Sequence, residues 1–133
     1  MRRRLEAEFD GTPEAVREAR RFVVSALTDW GFEHLSEIVQ ICTSEAASNA
    51  VRHAGTPFRL RVERRGPEVI VWVEDRGPGQ PRVRAFDPEA ESGRGMWIIS
   101  SLSTRWGWEP SEAGKAVWFA VAGDDAGRGP NRL

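Results

Sequence analysis

"SEAASNAVRHA", residues 44–54, is the stretch on which the reading of the fold turns. It reads as the second half of a helix that begins near His34 and ends before Gly55. Stepping about 100° per residue from Ile38, the residues Ile41, Cys42, Glu45, Asn49 and His53 fall on one side. Ile38, Ile41 and Cys42 make that side apolar, so it is expected to face a core. Glu45 and Asn49, a carboxylate and an amide one turn apart, stand in line with this stripe and need a reason to point inward.

Working outward, the chain supplies partners for such a helix. "RRLEAEFD" alternates apolar and polar residues as a first strand. "GTP" opens a preceding helix, with Thr12 as N-cap, Pro13 in its first turn and Val16, Ala19, Val23 and Leu27 on its buried side. "FRLRVERRGPEVIVWVEDRG" reads as a hairpin whose first strand sets Phe58, Leu60 and Val62 against an exposed face of Arg59, Arg61 and Glu63. A Gly- and Pro-rich stretch, "RGPGQP" to "ESGRG", is expected to be a mobile loop over a site. "GMWIISSLS" is a short helix, and "TRWGWEP" and "KAVWFAVA" are two final strands. The order β-α-α-β-β-loop-α-β-β implies an α+β two-layer sandwich, with helices packed on one face of a mixed, mainly antiparallel sheet. Residues 1–122 are read as a single domain and 123–133 as a disordered tail.

Composition narrows the function classes. The chain has 133 residues, enough for one real core. With a net charge of −1 it has no overall basic field to hold nucleic acid directly. No apolar run approaches the ~20 residues that cross a bilayer, and no signal-peptide stretch follows the basic start, so a cytoplasmic location without membrane contact is expected. One cysteine excludes an internal disulfide, and two histidines argue against a zinc cluster.

Three motifs carry possible chemistry, each with an ordinary alternative. Glu45 and Asn49 could be polar residues at a helix end. They could equally activate a hydroxyl and give an amide oxygen to magnesium, which prefers oxygen ligands. Asp75 in "VEDRGPGQP" could simply end a strand in a turn. It could also accept a hydrogen bond from an exocyclic amine such as that of adenine, with Gly77 and Gly79 letting the backbone approach the ring. Gly93 and Gly95 in "ESGRGMWII" could form a plain turn, or leave first-turn amides free for an anion. Neither a P-loop nor a dinucleotide-fold glycine pattern is present.

Taken in order, the three motifs resemble the Bergerat-fold ATP-binding superfamily of gyrase, heat-shock chaperones, histidine kinases and mismatch-repair proteins. Over about residues 5–122, "SEAASNAVRHA", "VEDRGPGQP", "GRGMWIISSLSTRWGW" and "GKAVWF" look most like the anti-sigma factor serine-protein kinases. The resemblance implies an ATP- and magnesium-dependent kinase of a bacterial partner-switching pathway. Its implied partners are an anti-sigma-factor antagonist, phosphorylated on serine, and a sigma factor, and it allows a homodimer. By the same resemblance Glu45 is the catalytic base, Asn49 the magnesium ligand and Asp75 the adenine-recognising acid. Gly77 and Gly79 lie beneath the base, and Gly93, Arg94, Gly95 and Met96 form the phosphate-contacting turn. One departure stands out. Relatives often place a hydroxyl residue on the strand near adenine, and here Ala116 holds that place. It favours the alternative of a non-catalytic, nucleotide-responsive module that sequesters a sigma factor or antagonist.

Overall fold

A computed structural model describes residues 2–77 and 94–122. The elements are β1 (Arg2–Phe9), α1 (Pro13–Trp30), a 3-10 turn (Glu33–Leu35), α2 (Ser36–His53), β2 (Phe58–Arg65), β3 (Glu68–Asp75), α3 (Arg94–Leu102), β4 (Arg105–Pro110) and β5 (Lys115–Ala122). Local chemistry explains most of these boundaries. The Thr12 hydroxyl accepts from the Ala15 amide at 3.3 Å, and Pro13 follows where its missing N–H costs nothing. Such a cap is worth ~1 kcal/mol. α1 closes on Gly31, whose amide reaches back to the Thr28 carbonyl.

The five strands form one sheet in the order β1-β2-β3-β5-β4, and every neighbouring pair of described strands is antiparallel. The α+β sandwich expected from the sequence is therefore found. The parallel pairing anticipated within it is not. β4 does run parallel to β3, but β5 folds back between them and separates the two.

Strand alternation sorts the side chains. Phe58, Leu60 and Val62 of β2, Val69, Val71 and Val73 of β3, and Val117, Phe119 and Val121 of β5 line the face covered by the helices. They meet Ala19, Val23 and Leu27 of α1, Val39, Cys42, Ala46 and Ala50 of α2, and Met96 and Ile99 of α3. Each large side chain buried this way contributes roughly 1.5–3 kcal/mol. The opposite sheet face carries Arg61, Trp72 and Trp118, with the Arg61 guanidinium 3.9 Å from the Trp72 ring centre. Glu63, expected on an exposed face, is instead buried beneath Arg61 and Arg65, whose nitrogens lie 3.5 and 2.7 Å from it. Most of the expected loop over the site, residues 78–93, and the expected tail, 123–133, lie outside the described residues.

Candidate functional site

α2 is the spine of the site, but its orientation differs from the one the apolar stripe implied. The face turned to the core is Val39, Cys42, Thr43, Ala46, Ala47 and Ala50. Ile41 is 40% exposed, and Glu45 and Asn49 are half-buried on the flank of the core face. The two isoleucines dominate a hydrophobicity count, whereas alanines mark where the helix presses closest to its neighbours. Glu45 and Asn49 thus face sideways, toward α3, and no core desolvation has to be compensated.

What they face is the first turn of α3. A β-carbon built on Gly95 would come within 3.1 Å of Glu45 Oε1 and within 3.2 and 3.4 Å of the Asn49 amide nitrogen and oxygen. The glycine therefore lets the helix start lie flush on the carboxylate and the amide. The first amides of any helix lack internal partners and carry a partial positive charge, so they complement an anion. Arg52 adds a cation near this end, 3.5 Å from Asn49 Oδ1. On the core side Cys42 adjoins Glu45. Burial first, and the Glu45 charge second, push its thiol up to about 12, so it stays protonated and unreactive. Met96 is buried in the core, so its side chain packs under α3 and does not line the phosphate-contacting turn. Gly79, Gly93 and the Arg94 side chain lie outside the described residues.

The other end of the site lies where α2 stops. From Glu45 to the C-cap Ala54 the helix climbs about 13 Å. There Asp75, the last residue of β3, is buried on the helix-covered face of the sheet. Its Oδ1 accepts from the Gly77 amide at 2.8 Å and from Lys115 Nζ at 3.0 Å. Gly77 is wedged among these groups: a β-carbon on it would meet Asp75 Oδ1, Ala54 Cβ and Lys115 Nζ at 3.2–3.3 Å.

Lys115 is the residue that sequence reasoning passed over, and Ala116 is the one it misplaced. In β5 the helix-facing positions are Lys115, Val117, Phe119 and Val121, opposite Asp75, Val73, Val71 and Val69 of β3. Ala116 shares the other parity and lines a shallow hollow on the outer face with Trp72 and Glu74. It cannot stand in for a hydroxyl beside a base, and the support it lent to a non-catalytic reading lapses. The signal that could have found Lys115 is the alternation itself, since residues 115, 117, 119 and 121 share one face.

The model for the histidine kinase-like ATPase domain matches residues 9–121. The chain belongs to that family. No curated protein matches it in sequence. Among solved structures, this ATPase-family domain is similar to the RsbU and RsbW domains of Rv1364c from Mycobacterium tuberculosis, with a TM-score of 0.70 and 19% identity. The match covers 90% of this chain and 32% of that one, so the domain spans about a third of the neighbour's length. At this identity the likeness is one of fold: three helices on a five-stranded antiparallel sheet.

Proposed function

We propose that this domain is an ATP- and magnesium-dependent serine-protein kinase that phosphorylates an anti-sigma-factor antagonist in a partner-switching pathway. The observation that carries the reading is the pairing of Glu45 and Asn49 on α2 with the glycine-opened start of α3. Membership of the ATPase-domain family and a fold shared with an RsbW-containing chain support it.

The residues fit a nucleotide with its metal. At Gly95 any side chain would push the Glu45 and Asn49 heads aside, and both residues are only half-buried, so part of their surface stays open beside the start of α3. Among the described residues no group of three His, Cys, Asp or Glu side chains could hold a metal alone. Magnesium would rest on the Asn49 amide oxygen and on ligand oxygens, a division that suits an ion reluctant to lose its waters. When bound, ATP supplies the phosphoryl group and magnesium offsets its charge. Glu45 takes the proton of the attacking serine hydroxyl, the α3 amides hold the anionic end, and Asp75 holds the base.

The test is transfer of labelled phosphate from ATP to candidate antagonist proteins. Glu45→Gln keeps the size of the side chain but cannot accept the proton. It is expected to retain ATP affinity and lose transfer by ~10²-fold or more. Full transfer by that variant, or absence of ATP binding by the wild type, overturns the reading.

A further inference from the structure

We propose that Lys115 reads the nucleobase together with Asp75, and that this donor–acceptor pair makes the site accept GTP as well as ATP. The proposal rests on the nucleotide-binding part of the reading above and adds its specificity. Lys115 is the chain's only lysine among 19 basic residues. It is 8% exposed, and its ammonium stands 3.0 Å from the carboxylate of Asp75, itself 4% exposed. The placement is fixed by packing. Gly114 lies so close to the Asp75 carbonyl and Arg76 that no β-carbon fits, which locks the start of β5 against the end of β3. Lys115 also approaches the C-terminal end of α2 at Ala54, where the helix dipole favours a cation.

Stability alone does not account for the pair. The desolvation cost of a buried ion pair roughly cancels its attraction, and apolar residues of similar size would serve the fold as well. Recognition does account for it. A lone carboxylate only accepts hydrogen bonds, so it welcomes the amine of adenine and repels the carbonyl oxygen of guanine. An ammonium beside it only donates. The pair can therefore meet the guanine edge, with Asp75 accepting from the ring N–H and amine while Lys115 donates to the carbonyl. It can meet adenine too, with Asp75 accepting from the amine and Lys115 donating to the ring nitrogen. Each edge leaves no group of the pair unmatched, so the usual basis for rejecting one purine is removed.

The experiment is calorimetric titration of the full chain with magnesium ATP and magnesium GTP, for wild type, Lys115→Met and Lys115→Gln, with thermal unfolding as the check on folding. The wild type is expected to bind the two within about tenfold of each other. Lys115→Met, left with the carboxylate alone, should lose GTP affinity at least tenfold more than ATP affinity, whereas Lys115→Gln keeps a donor and stays near the wild-type ratio. Carbon-13 labelling of lysine gives a single side-chain spin system in this chain, and it should shift with either nucleotide. A wild type that prefers ATP by about 100-fold or more, a ratio unchanged in Lys115→Met, or a lysine signal unmoved by bound nucleotide overturns the role of Lys115 while leaving ATP binding in place. Failure of the wild type to bind either nucleotide removes the ATP reading itself. Should Lys115→Met not fold, the wild-type ratio and the lysine signal decide the matter.

Discussion

Gly95, in the first turn of α3, lies against the carboxylate of Glu45 on α2, so that a β-carbon there would stand 3.1 Å from Oε1. The contact joins the two halves of the site by backbone approach, with no side chain intervening. It ties the orientation of Glu45 and Asn49 to the position of a helix start, and it can be broken by one methyl group.

Gly95→Ala tests that relationship. Alanine is the better helix former, and the atoms it would crowd are ends of flexible side chains, so the melting temperature should hold or rise. The methyl would nonetheless displace the Glu45 and Asn49 heads. Affinity for magnesium ATP is expected to fall about tenfold or more, since small misplacements in a reacting site are costly. Unchanged affinity in a folded variant would remove the start of α3 from the site.

Asn49→Ala should weaken nucleotide binding only where magnesium takes part. The amide oxygen is the ligand type this ion prefers, and the 3.5 Å contact from Arg52 is too long to matter much for the fold. Titrations with magnesium and with a chelator give the comparison. Wild type should show a magnesium-dependent gain that the variant lacks, and equal gains in both would move the metal elsewhere.

Ala116→Thr should leave ATP affinity unchanged, because position 116 looks onto the outer sheet face beside Trp72 and Glu74. Threonine suits a strand, so the variant should fold. Tighter ATP binding by this variant would contradict the β5 register opposite β3.

That prediction marks the limit of what the sequence disclosed. Element order, the Thr12 cap and the inward parity of β2 were legible, because each is local: a capping hydroxyl, a proline, an alternation of period two. The flanking position of Glu45 and Asn49 was not. Packing of α2 is decided by Ala46, Ala47 and Ala50, whose small side chains allow close approach but weigh little in a hydrophobic stripe. Lys115 was hidden for a related reason. A lysine at the first position of a strand carries no sign of its partner until β5 is set in register and the residue across the ladder proves to be Asp75.

Cys42 gives the last prediction, a dependence of stability on pH. An unfolded cysteine ionises near ~8.5, whereas burial, reinforced by the Glu45 charge, holds the native thiol's pKa at about 12. Between those values the native chain keeps a proton that the unfolded chain gives up. The contribution is therefore fully present below the unfolded pKa and is lost as pH rises toward the native one. By roughly pH 10.5, two units above the unfolded pKa, the loss should reach up to about 3 kcal/mol. The measurement is a comparison: urea unfolding near pH 8 and near pH 10.5 for wild type and for Cys42→Ala. The variant starts less stable for lack of the buried sulfur, but it should fall less between the two pH values. Equal falls would mean that Cys42 ionises in the folded protein as readily as in the unfolded one, and the tight seat of the thiol beside Glu45 would have to be given up.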